Sequence, residues 1–233
     1  MSLKSRLLGS KSSDSTVQLL ECLDRLGLSP NHIIDIGANR GDWSRKALKV
    51  FPNAKVTSFE PQRSLSPYHA DLAANPSVKI EYAGVGKVDG EATFTIHDRD
   101  DSSSFSYSEE QAQEKGYEQQ EIRIHCLDTY LETASFGRPS IIKIDAEGLD
   151  LEVLEGAKRT LKETDVVLVE AAVANPLYQN TVLKVMQIMD DFNFTLFDIT
   201  DLNRTPQNRV LWLVELVFVQ KNGVLEKASA QYT

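Results

Sequence analysis

Cysteine is scarce in this chain: Cys22 and Cys126 are the two among 233 residues. They offer neither a disulfide framework nor a metal site, so a reducing, cytoplasmic compartment is the expectation. Cys22 shares the apolar face of a helical pattern with Leu19, Leu23 and Leu26, where a thiol packs as a small hydrophobe. No run of 18 apolar residues exists, which excludes a membrane-spanning helix. The longest apolar stretch, residues 210–219, is broken by Glu215 and reads as a buried strand. The amino terminus lacks the apolar core of a signal peptide. Runs of Lys and Arg are missing too, and with a net charge of −9 a nucleic-acid backbone is not an expected partner. His69, His97 and His125 show no metal-ligand spacing, and Asp98, Asp100 and Asp101 lack the calcium-loop pattern, so no metal is expected. Internal repeats are absent. So is G-x-G-x-x-G, which argues against a pyrophosphate-bearing dinucleotide.

A hydrophobic share of 41% with 25% charged residues is that of a soluble globular protein. The length suits one α/β domain. A helical pattern (Val17, Leu20, Leu23, Leu26) has Asp14 or Ser15 to cap it and Gly27 to end it. Beyond it, strand and helix patterns alternate. Strands are expected at residues 32–36, 56–60, 78–85, 141–145, 166–170, 194–199 and 214–220. Helices are expected up to Ala74, at 149–161 and at 178–191, the last two with the 3.6-residue period of Leu151, Leu154, Ala157, Leu161 and Val182, Val185, Met186, Met189. Near-continuous apolar strands fit a sheet covered on both faces. Two period-2 segments, 91–97 and 121–125, follow an Asp89-Gly90 turn and interrupt the alternation as a β insertion between strands three and four. The long polar stretch between them, 98–120, reads as a mobile loop over the carboxyl edge of the sheet. The expected organisation is an N-terminal helical extension (1–30), a doubly wound α/β domain (31–222) and a flexible tail (223–233). His69 is expected to be exposed, and Trp43 and Trp212 to serve the core.

Two motifs carry chemistry. In the first, an apolar strand runs into Asp35-Ile36-Gly37-Ala38-Asn39-Arg40-Gly41, and the next strand ends in Phe59-Glu60-Pro61. A doubly wound sheet places that turn and that carboxylate side by side at neighbouring strand ends. The turn lets a nucleoside-bearing ligand approach the backbone, and Glu60 can accept two hydrogen bonds from a ribose diol. A ligand with adenosine but no pyrophosphate fits best, which points to S-adenosyl-L-methionine. The second motif is Lys143-Ile144-Asp145-Ala146-Glu147-Gly148, at the end of strand four. Three charges within five positions are costly to bury without a partner or a task. Glu147 is also suited to capping the following helix.

With these motifs the chain resembles the FkbM family of S-adenosylmethionine-dependent methyltransferases, over roughly residues 31–220. The resemblance also rests on Gly84-Val85-Gly86, Asp89-Gly90, Ser102-Ser103-Ser104-Phe105, Cys126-Leu127-Asp128-Thr129-Tyr130 and Glu170. The Lys-Ile-Asp-x-Glu-Gly run is the most specific of these. Ala146 stands where Val or Thr is common, and Glu215 where Asp is frequent. The resemblance implies a class I methyltransferase (Rossmann-like) fold, a mostly parallel seven-stranded sheet with the last strand antiparallel, and O-methylation of a sugar, glycan or small-metabolite hydroxyl. By matching position, Gly37 and Gly41 would let the backbone approach the methionine end of the cofactor, with Asp35 and Asn39 holding that end or ordering the turn. Glu60 would bind the ribose. Gly84, Val85 and Ser104 are candidates for the adenine and substrate side. Asp145 projects toward the methyl group as first candidate for general base, Glu147 is second, and Lys143 tunes or pairs with them. Spacing does not decide which carboxylate is the base. The alternative is a non-catalytic nucleotide-binding or scaffold domain that kept the fold.

Overall fold

The computed structural model describes residues 14–96, 105, 107–174 and 178–229. Its main layer is a seven-stranded sheet. Five of the strands are β1 (His32–Ile36), β2 (Lys55–Phe59), β3 (Val78–Glu81), β7 (Ile141–Ile144) and β8 (Val166–Ala172). They are completed by β9 (Phe194–Arg204) and β10 (Leu211–Gln220), and the order across the sheet is β3-β2-β1-β7-β8-β10-β9. β1 pairs in parallel with both β2 and β7, while β10 is antiparallel to its neighbours β8 and β9. This is the expected α/β, mostly parallel architecture with the last strand reversed. The strand order turns at β1 and β7, so both charged motifs lie at the switch point, where open α/β sheets form their crevice.

The strands are apolar because helices cover both faces. One face buries Ile34, Ile36, Ile142, Val167 and Val169 against α6 (Asp150–Gly156) and α8 (Val182–Asp191). The other buries Ile33, Val56, Ile141 and Leu168 against α1 (Ser15–Arg25) and α2 (Asp42–Val50). Each fully buried Ile or Leu contributes roughly 1.5–3 kcal/mol. Asp14 caps α1, accepting from Thr16 N at 3.2 Å. Leu19, Leu20 and Leu23 of that helix sit in the same cluster as the β1 side chains. Residues 224–229, expected in a flexible tail, form α9 with Leu225 buried in that cluster. No described helix is long and apolar enough to cross a membrane.

The insertion between strands three and four is real, but its start differs from expectation. The strand expected over 78–85 divides after Glu81, and β4 (Gly84–Gly86) leaves the main sheet. It joins β6 (Glu118–Cys126) and β5 (Gly90–Ile96) in a second sheet of order β4-β6-β5. The polar stretch 98–120, expected as a loop, contains α4 (Glu109–Lys115), closed by a Ser108/Gln111 capping box and Gly116. Its residues 98–104 and 106 lie outside the described residues. The helix expected over 149–161 breaks at Ala157, and α7 (Lys158–Leu161) follows as a separate turn. α8 starts at Val182, because Thr181 caps it. Met186, assigned to its core face, is 38% exposed.

Asp128 explains the break at Ala157. It lies on α5 (Leu127–Thr133) and accepts from Arg159 N at 2.9 Å, Thr160 N at 2.8 Å and Thr160 Oγ at 2.8 Å, capping α7 from across the fold. The Cys126–Tyr130 run is therefore architectural at this position. Asp128→Ala should lower stability by about 1–2 kcal/mol, as loss of a helix cap does. Urea unfolding checks this: the midpoint should fall with an unchanged slope.

Candidate active site

Tight packing explains the first turn. Gly37 N and Ala38 N both donate to Phe59 O at 3.0 Å, tying the β1 end to β2. Gly37 has φ +74°, and a Cβ there would stand 1.8 Å from Asp145 O, so only glycine lets the turn and the β7 end touch. Asn39 has φ +46°, a conformation Asn tolerates. Its carbonyl takes a hydrogen bond from Nε2 of His69, leaving Nδ1 to accept from Tyr82 OH at 3.2 Å. His69 is thus buried beneath the turn rather than exposed; its polar partners offset the burial. Gly41 opens α2, packed on Leu72, and takes no part in the cleft lining.

Glu60 is 3% exposed. Its Oε2 accepts from Asn39 N and its Oε1 from Gln62 N, both at 2.7 Å. Burial pushes its pKa up to about 7, against the two backbone N–H groups and Lys143, which favour the charged form. Each carboxylate oxygen keeps a lone pair for a further donor.

Lys143 organises the centre. Its buried Nζ donates to Gly37 O at 2.9 Å, Ile36 O at 3.3 Å and Asp145 Oδ2 at 3.2 Å, and lies 3.5 Å from Asp35 Oδ1. Burial alone would lower its pKa, but the carboxylates of Asp145, Asp35 and Glu215 hold it above the ordinary lysine value. It stays an ammonium and acts by positioning. Asp35 is fully buried under the turn, with Oδ2 accepting from Ser44 Oγ at 2.6 Å. It orders the turn and does not line the cleft.

Glu147 sits at φ +50°. It does not cap α6, whose N-cap Leu149 makes no side-chain bond. That turn is closed by Asp150, which accepts from Ala146 N at 2.9 Å through Oδ1 and from Asn180 Nδ2 at 3.1 Å through Oδ2. Burial pushes the Asp150 pKa up to about 6.

These elements line a cleft over the carboxyl ends of β1, β2 and β7. Its lining brings together seven predicted residues, Gly37, Asn39, Glu60, Gly84, Val85, Asp145 and Glu147. Lys143 supports it from below, and Ser104 lies outside the described residues. The small sheet supplies an apolar end, where Phe94 and Phe105 pack at 4.6 Å and Phe105 N donates to Glu147 O at 3.1 Å. Bare backbone at Gly37, a carboxylate at Glu60 and this apolar end fit a nucleoside with a short polar extension. The sequence reading missed Phe94, Phe105 and Asp150 as site residues. It noted Glu170 as part of the resemblance without giving it a role, although Glu170 carries the signal that marked Glu60, a carboxylate closing an apolar strand. Among the described residues, no group of three or more His, Cys, Asp and Glu is placed to hold a metal ion.

The family profile described as the methyltransferase FkbM domain matches residues 35–196. The chain belongs to the FkbM methyltransferase family. Structures similar to it include a putative rRNA methylase from Clostridium thermocellum, 10% identical at TM-score 0.51, with 89% of this chain and 96% of that one covered. Another is the methyltransferase FkbM from Methylobacillus flagellatus KT, 17% identical at TM-score 0.49 over 80% of this chain and 43% of that one. Precorrin-6y C5,15-methyltransferase from Geobacter metallireducens GS-15 is 15% identical at TM-score 0.49, covering 86% and 85%. The FkbM chain described here thus spans less than half the length of the Methylobacillus protein. At such identities the likeness is one of fold. No curated protein matches the sequence.

The electrostatics of this FkbM domain carry a measurable cost. Burial pushes the Glu215 pKa up to about 7, against a 2.6 Å hydrogen bond from Thr200 Oγ. A carboxyl raised on folding binds its proton more tightly in the native state. Its contribution to stability is complete below the unfolded value and is lost as pH rises through about 7. Glu215→Gln removes that dependence. The melting temperature of the variant relative to wild type should therefore rise between pH 5 and 8, as thermal scans in matched buffers would show.

Proposed function

We propose that this FkbM-family protein is an S-adenosyl-L-methionine-dependent O-methyltransferase acting on a hydroxyl of a sugar, glycan or small metabolite. The observation carrying the reading is the single cleft in which Gly37, Asn39 and Glu60 line one side and Asp145 and Glu147 the other. Glu60 would take the ribose hydroxyls, Gly84 and Val85 with Phe94 and Phe105 would flank the adenine, and Gly37 with Asn39 would face the methionine part. Asp145, oriented by Lys143, lies at the reacting end. The bound cofactor supplies an activated methyl group on a sulfonium. The protein's share is then largely alignment, which can be worth about 7–11 kcal/mol. A base adds about 10²–10⁴-fold for a protonated hydroxyl. The proposed setting is the cytoplasm, and the proposed partner is a hydroxylated small molecule or glycan rather than nucleic acid, in keeping with the −9 net charge.

Calorimetric titration with S-adenosylhomocysteine beside NAD tests the cofactor assignment: the first should bind and the second should not. Failure of S-adenosylhomocysteine to bind would favour the alternative, a non-catalytic domain. Glu60→Ala should weaken that binding at least tenfold, since hydrogen bonds to a charged group are worth about 1.5–3 kcal/mol each; unchanged affinity would remove Glu60 from the ribose. Incubation with S-adenosylmethionine and a panel of glycosides and hydroxylated metabolites, read as S-adenosylhomocysteine release, should identify the acceptor. Turnover should survive chelation by EDTA.

A further inference from the structure

Two clefts meet at the carboxyl edge of the sheet. The second is lined by the Gly37–Asn39 turn together with Thr16, Trp43, Lys46, Asp201 and Asn203. Four residues line both clefts: Gly37, Asn39, Asp145 and Glu170. Only two of them have a side chain that can take a proton. Asp145 is engaged, since its Oδ2 receives the buried ammonium of Lys143 at 3.2 Å. Glu147 lines the first cleft alone.

Glu170 is differently placed. Its backbone is pinned: its carbonyl accepts from Asn180 Nδ2 at 3.1 Å, and it stands opposite Glu215 in the β8–β10 ladder. Its carboxyl group has no hydrogen-bond partner among the described residues. Around it lie Asp145, Glu147 and Lys143 from β7 and the loop after it, Asp150 from α6, Glu215 from β10, and Tyr178. A rigid backbone carrying an uncommitted carboxyl between two clefts is what a proton acceptor requires.

Resting on the methyl-transfer reading above, we propose that Glu170 is the catalytic residue that takes the acceptor's proton, with the donor in the first cleft and the acceptor in the second. As the acceptor oxygen bonds to the methyl carbon, its proton passes to a Glu170 oxygen. The sulfur–carbon bond breaks, its electron pair stays on sulfur, and a neutral thioether results. The proton then leaves to water. Charge supports the assignment. Burial first, then Asp145, Asp150 and Glu147, hold the Glu170 pKa well above the carboxylate range, with Lys143 acting against them. These causes favour its neutral form, and an arriving positive charge opposes them. A sulfonium in the first cleft is such a charge and favours the ionised, basic form. S-adenosylhomocysteine, with no charge on sulfur, does not.

The test compares S-adenosylmethionine with S-adenosylhomocysteine, by titration calorimetry at pH 7 in two buffers of different ionisation enthalpy. Wild type should release more protons on binding S-adenosylmethionine than on binding S-adenosylhomocysteine, the Glu60–ribose contribution being common to both. Glu170→Gln should bind S-adenosylhomocysteine within about twofold of wild type and release equal numbers of protons with the two ligands. With the acceptor found by the S-adenosylhomocysteine-release screen, its kcat should fall about 10²–10⁴-fold. Equal proton release with both ligands in wild type, or an undiminished difference between them in Glu170→Gln, would overturn the proposal while leaving the donor site standing. Wild type that binds neither ligand would overturn the donor site as well. If the glutamine variant loses S-adenosylhomocysteine affinity, Glu170→Asp, which keeps the carboxyl, must still release more protons with S-adenosylmethionine than with S-adenosylhomocysteine; if it does not, the proposal fails.

Discussion

The site depends on one buried cation. The Lys143 ammonium lies between Asp35 and Asp145 and reaches two carbonyl oxygens at the end of β1. Desolvating an ammonium costs several kcal/mol, and removing one partner of such a pair exposes the full penalty of the other. The β1 turn, the β7 end and the Asp145 side chain are therefore held as one unit. Gly37 is the steric counterpart of this constraint, because the two strand ends touch through backbone atoms.

Around that unit the protein gathers carboxyl groups faster than cations. Glu60, Asp150, Glu170 and Glu215 are all pushed toward the neutral form, by burial before any other cause. Such an arrangement weakens the fold as pH rises, yet it suits a site whose proposed ligand brings positive charge. The excess of acidic residues is thus concentrated where it can act rather than spread over the surface alone. Perturbed groups gathered in a cleft are the pattern expected of functional sites.

The β insertion makes the site specific to this architecture. By leaving the main sheet after Glu81, the chain builds a second small sheet, and that sheet returns Phe94 to the cleft beside Phe105. Asp128 fastens the same region to α7, so a motif that carried the family resemblance in the sequence serves as a clamp between layers.

The sequence by itself determined the sheet strands, their apolar faces and the two charged strand ends, because period and punctuation are local properties. β1 was readable to the residue, and so were Gly37, Glu60 and Asp145 as neighbours at a switch point. Four things were decided only by tertiary structure. Val78–Val85 divides because β4 finds its partner in β6, some 40 residues away in the chain. His69 is buried because the β1 turn supplies a carbonyl to receive it. Glu147 is released from capping because Asp150 closes that turn instead. Glu170 became visible as a candidate base only when two clefts were seen to share it. Burial, ion pairing and access are set by residues distant in the chain, and no local pattern encodes them.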